Sequence, residues 1–206
     1  MLLFSGEAYN VEMGVTNELF LTERDEFAGC QFASYPNSIM DATAGTGVEA
    51  MSSIEKFAVF MRFLAPPEPS KDTPGGTASI DAGRNLFTTI GCSHCHTPKL
   101  QTGNSRVAAL RNQPVNLYSD LLVHDMGNGL ADGVAQGGSG PREFRTAPLW
   151  GLGQRVFFLH DGRTSDLITA ITEYSSGGSE AKDVVKAFGD LSEAKKQDVL
   201  NFLRSL

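Results

Sequence analysis

The chain has 206 residues, 41% of them hydrophobic, and a net charge of −7. This composition excludes disorder throughout and allows one well-filled core with room for a second small lobe. No Lys/Arg cluster approaches a nucleic-acid footprint, and no apolar run reaches the roughly 18 residues of a membrane span, so both classes are set aside.

In chain order, residues 1–50 are rich in Gly, Asn, Thr and Ser without sustained periodicity, and are expected to be irregular coil. Met1-Leu2-Leu3-Phe4 is apolar for only four residues before Ser5-Gly6-Glu7, too short for a secretory signal. Cys30 is the odd cysteine of three; it is read as a free thiol or as the partner of a segment this chain lacks. A helix is predicted over 53–64, with Ser52 and Glu55 as a capping box and Ile54, Phe57, Ala58, Met61 and Leu64 on one face. Ala65–Gly76 (APPEPSKDTPGG) holds four prolines and reads as a linker. The expected division is therefore an N-terminal segment, 1–76, and a domain, 77–206.

A second helix is expected from about Ile80, with Gly83, Leu86, Phe87 and Ile90 at helical spacing. Residues 97–159 are Gly-rich and weakly periodic, a length of loop that calls for a prosthetic group to pack against. Three helices are predicted to close the chain. The first runs from Asp166 to about Tyr174 behind a Ser165 or Thr164 cap. The second is Glu180 to Phe188, with Gly189 just beyond its end. The third is Glu193 to Leu206, capped by Ser192.

The chemistry concentrates at Gly91–Pro98, GCSHCHTP. A structural zinc needs four ligands, and here one Cys pair has only a lone Cys30 and scattered histidines for company. A redox Cys-x-x-Cys calls for a strand–helix setting that the flanks do not supply. Covalent haem needs two thiols three residues apart for the two vinyl groups and a histidine immediately after; Cys92, Cys95 and His96 have that spacing. With the short helix leading into the motif and an apolar last helix to cross it, the segment resembles a class I cytochrome c domain. The expected fold is thus mainly α: a class I cytochrome c-like helical domain with long irregular loops, after a partly helical N-terminal segment. The cofactor is one covalent haem c.

Further stretches carry a wider resemblance: YSDLLVHDMGNGLAD (Tyr118–Asp132), FRTAPLWGLGQRVFFLHDGRTSDLITAI (Phe144–Ile171), SGEAYNVEMGVTNELF and EKFAVFMRFLAPP. Together they resemble the bacterial di-haem peroxidase superfamily, and within it the di-haem thiol oxidoreductases, matching that family's C-terminal part. The resemblance implies a second haem held elsewhere, since 206 residues contain one attachment motif. It also implies that the haem kept here is the electron-relaying one. His96 is then the proximal iron ligand. Tyr174 stands where such relatives place the sixth ligand, and Met126 is the rival; His124 and His160 are weaker candidates. His94 is expected to face solvent. Arg145, Arg163 and the Trp150 indole are candidates for the haem propionates, and Thr146-Ala147-Pro148 resembles a stretch near a calcium in some relatives.

The functional expectation is a c-type electron-transfer protein serving a redox partner or a missing haem domain. The alternatives are a peroxidase-like or thiol-oxidising haem oxidoreductase, and a structural haem subunit of a larger complex. Thioether attachment further leads to the expectation that the mature protein works in the periplasm or otherwise outside the cytoplasm.

Overall fold

A computed structural model describes residues 1–24, 27, 35–72 and 74–206. Cys30 lies outside the described residues. The chain divides into two compact units, Met1–Ala65 and Pro66–Leu206.

In the first unit, α1 spans Leu2–Met13, α2 Gly47–Ala50 and α3 Ser53–Arg62. The capping box of α3 forms as its sequence dictates: Ser52 accepts from the Glu55 N–H while the Glu55 carboxylate accepts from the Ser52 N–H. The helix buries Ile54 and Ala58, and its Phe57 ring meets Tyr9 of α1 at 5.7 Å. α1 itself corrects the expectation of coil over residues 1–50. Its apolar residues are spread around the helix with no stripe, and no side chain caps it, so neither periodicity nor capping betrays it. Polar groups hold it instead. Ser5, Gly6 and Asn10 are the buried positions. Asn10 donates to the Thr22 carbonyl at 3.0 Å, and Asn17 donates to the Gly6 carbonyl at 3.0 Å.

The second unit contains α4 (Gly76–Thr89), a 3-10 turn at Cys92–His94, β1 (Leu100–Gln101), β2 (Pro114–Val115), β3 (Val123–Asp125) and β4 (Glu143–Arg145). It closes with α5 (Leu167–Glu173), α6 (Lys182–Gly189) and α7 (Glu193–Ser205). β1 pairs antiparallel with β2, Leu100 opposite Val115; β3 pairs antiparallel with β4, His124 opposite Phe144. The core joins α4, α5, α6 and α7: Ile80 and Phe87, Leu167, Phe188, and Val199, Leu200, Phe202, Leu203 and Leu206, with Leu152 beneath. α4 and α7 cross in near contact at Gly83, where a Cβ would land on the Asp198 carbonyl. The crossing is edged by Ser79, which donates to Asp198 at 2.5 Å and accepts from Asn201 at 2.9 Å.

The mainly-α, class I cytochrome c-like expectation does not hold. The described residues are 39% helix and 9% strand, with seven α-helices and two small antiparallel sheets. The reason lies in the long central stretch. Between the motif and α5 the backbone groups are satisfied by two short β-ribbons, by 3-10 turns and by many side chain–backbone bonds, not by further helix.

Smaller corrections follow the same logic. α4 begins at Gly76, ahead of its apolar stripe. The α5 cap is Asp166, whose side chain accepts from the Thr169 N–H. Gly189 is the last helical residue of α6, followed by Asp190 in right-handed conformation, so no left-handed glycine ends it. Ser192 precedes α7 in extended conformation without a side-chain cap bond. Among the described residues, no helix is long and apolar enough to cross a membrane.

Candidate functional site

The motif is a turn at the end of α4. Gly91 takes φ 99, a left-handed conformation that stops the helix and starts the 3-10 turn carrying Cys92. The chain reverses within five residues, with His96 N–H donating to the Cys92 carbonyl at 3.0 Å. Cys92 and Cys95 are both free thiols. Cys92 packs against the core, and burial pushes its thiol up to about 12. Burial also raises Cys95, with the negative charges of Asp120 and Glu180 adding to the effect. Both shifts favour the thiol over the thiolate.

A strap, residues 117–121, clamps this turn. Asp120 N–H donates to the Cys95 carbonyl at 2.8 Å and Ser119 N–H to Thr97 at 2.9 Å. The buried Ser119 hydroxyl donates to the Thr146 carbonyl at 2.8 Å. Tyr118 adopts φ 51, left-handed for a bulky residue, and its carbonyl accepts from His96 Nδ1 at 3.0 Å. The His96 tautomer follows: Nδ1 carries the proton and Nε2 keeps its lone pair. Burial lowers the His96 pKa, which favours the neutral ring. The ring sits 6.2 Å from Phe87, and Tyr118 meets Phe87 and Phe202 edge-on, so strap, turn and core lock together.

Beside the turn is an arrangement that sequence reasoning missed. His124, on β3, lies between two carboxylates: Nε2 is 2.9 Å from Asp120 and Nδ1 is 2.8 Å from Glu180. Glu180 and then Asp120 raise its pKa against the opposing effect of burial. His124 Nδ1 is also 3.9 Å from Cys95 Sγ, so Cys95, Asp120 and His124 form a compact donor group. Sequence offers little warning of this, because Glu180 arrives from 56 residues away.

The candidate sixth ligands sit on neighbouring segments. Met126 is buried, and its carbonyl accepts from the Ser176 hydroxyl at 3.0 Å. Tyr174 ends α5 two residues before Ser176; it is half-buried, and burial raises its phenol pKa. Gly127 at φ 74 makes this approach possible, since a Cβ there would strike Ser176, Gly177 and Ser179. Among the described residues, no side-chain hydrogen bond or ion pair joins the other candidates to the turn. Arg163 is paired with Asp161 at 2.6 Å and with Glu173 at 3.7 Å, and donates to the Gly129 carbonyl at 3.0 Å. Arg145 is exposed at the end of β4, without an ion pair among the described residues, and Trp150 is half-buried. His160 stacks on Phe144 at 4.4 Å, and His94 is exposed, as expected.

The donor set fits a c-type haem. Two unpaired thiols share one short turn with a histidine whose outer nitrogen is free and whose inner one is held by a backbone carbonyl. Leu122, directly after the strap, is 60% exposed, apolar surface of the kind a porphyrin covers.

No curated protein matches the chain. Among solved structures, hydrazine synthase of Kuenenia stuttgartiensis, pressurised with 20 bar xenon, is similar at 17% identity and a TM-score of 0.47. The match covers 78% of this chain and 56% of that one. A haem-binding motif in this setting agrees with the family whose pattern runs from residue 2 to residue 206, so the chain belongs to the family described as "Di-haem oxidoreductase, putative peroxidase".

Proposed function

We propose that this chain carries one covalent haem at Cys92 and Cys95, with His96 as proximal ligand, and that it relays electrons for a haem-dependent oxidoreductase. The observation that carries the reading is the clamped turn: two free thiols, and a His96 fixed by Tyr118 with Nε2 free. When bound, the haem supplies a reversible one-electron couple. The protein's own part is to orient. The strap fixes the His96 ring plane and tautomer, and the carbonyl bond to Nδ1 makes Nε2 more electron-rich, which favours the oxidised form of whatever it ligates. Relay, with its partner the second haem of the pair or a separate redox protein, is favoured because the family is di-haem and this chain holds one attachment motif. Work outside the cytoplasm belongs to the same proposal, since thioether attachment is made there in bacteria.

The family description supports a second reading, turnover of peroxide or of thiols at an open iron position. One experiment decides between them. Intact mass of the purified protein is expected to exceed the polypeptide by one haem, and the Cys92→Ala/Cys95→Ala variant to lack that increment. The absorption spectrum is expected to be six-coordinate low-spin and unmoved by cyanide or peroxide. A high-spin spectrum that shifts with peroxide selects the enzyme reading, and a colourless wild type overturns both.

A further inference from the structure

The acidic groups of this chain are unevenly placed. Between Asp81 and Asp120 there is no Asp or Glu at all. The hairpin excursion over residues 97–116 carries Lys99, Arg106 and Arg111, a charge of +3 in a protein of −7, so the remainder carries −10. All three cations are exposed, and none is in an ion pair among the described residues. Arg111 is braced on its own loop, donating to the Ser105 carbonyl at 2.7 Å and the Arg106 carbonyl at 3.3 Å, so its guanidinium is held over the backbone of residues 105–106. At the other end, Lys99, Leu100, Gln101 and Pro114 line a surface groove of about 550 Å³.

The hairpin springs directly from the motif. Its first residue, Thr97, is held by Ser119, and the preceding Cys95 by Asp120, so the basic surface is tied to the turn that positions His96. We infer that residues 97–116 form the docking surface for an acidic redox protein, with Lys99, Arg106 and Arg111 receiving its carboxylates. The inference rests on the redox reading above. Charge complementarity argues for this partner. Fields between exposed charges fade over about 10 Å at 0.1 M salt, so a partner at the hairpin senses its local +3 more than the net charge of the whole chain. Such pairing steers docking and sets orientation. Three cations on a narrow hairpin are too few for a nucleic-acid face.

The test is calorimetric titration of the full holo-protein with polyglutamate at about 50 mM salt, and with an acidic flavodoxin as the protein probe. Polyglutamate is expected to bind despite the net negative charge, to weaken about tenfold or more when salt is raised to about 300 mM, and to be displaced by the flavodoxin. Lys99→Glu/Arg106→Glu is expected to abolish binding. Lys182→Glu/Lys195→Glu, the same charge change placed elsewhere, is expected to leave it within about twofold. Absence of binding at low salt, equal loss in both double variants, or failure of the flavodoxin to compete overturns the inference. So does concentration-dependent self-association that the hairpin variant abolishes, which assigns the surface to a second copy. A haem-absorbing sample that ignores polyglutamate sinks this inference alone, whereas a colourless sample sinks the redox reading and this one with it.

Discussion

The left-handed Tyr118 is the residue on which the site's geometry turns. A bulky side chain at φ 51 costs on the order of 1–2 kcal/mol, and the cost is sustained because the ring is wedged against Phe87 and Phe202 while the carbonyl reaches His96. Tyr174 poses the sharpest question at this scale. Burial keeps its phenol neutral, and its hydroxyl has no hydrogen-bond partner among the described residues. As a ligand, a phenolate would favour ferric iron. Tyr174→Phe is then expected to convert the oxidised spectrum to high-spin and raise the midpoint potential by about 100 mV or more, with Met126→Leu leaving both unchanged. The reverse pattern, measured by spectroscopy and redox titration, assigns Met126 instead.

Among the elements, the α4–α7 crossing is the least tolerant of change. An added Cβ at Gly83 would meet the Asp198 backbone and the Phe202 Cβ, neither of which can swing aside. Gly83→Ala is expected to destabilise the protein by about 3 kcal/mol in denaturant unfolding, whereas Gly189→Ala, with nothing within 4 Å, is expected to be neutral or slightly stabilising. α5 offers a pH test. Asp166 accepts the Thr169 N–H at 2.7 Å, and that backbone bond, with a second Thr169 contribution, holds its pKa below the usual carboxylate range. A depressed carboxylate contributes stability above its unfolded pKa and loses it as pH falls through the folded value. Thermal midpoints are therefore expected to fall less between pH 7 and pH 3 in Asp166→Asn, which keeps a non-titrating cap, than in the wild type. Asp166→Ala should lower the midpoint at pH 7, by an amount that shrinks as pH falls toward 3. The amphipathic helices α3 and α7 were legible from their apolar stripes because tertiary packing and local pattern agree there. α1 was not, because its buried face is polar and its apolar residues lie all around it.

For the whole molecule, chemistry was more legible than architecture. Cys92, Cys95 and His96 were legible in the sequence as a candidate haem-attachment turn, because such a turn calls for two thiols and an imidazole close together in the chain. The crossing of the motif helix by the apolar last helix was also expected from the sequence, whereas the meeting of Gly83 with Asp198 and Phe202 comes from the structure. Only the tertiary structure decided the rest. It showed that the central stretch, expected as irregular loop, is pinned by two short β-ribbons and 3-10 turns. It also showed that the Tyr118 carbonyl selects the His96 tautomer, and that Glu180 and Asp120 close on His124. The physical reason is common to these cases. Each depends on a backbone group or a side chain brought from far along the chain, and hydrogen bonds of that kind leave no periodicity or spacing behind them.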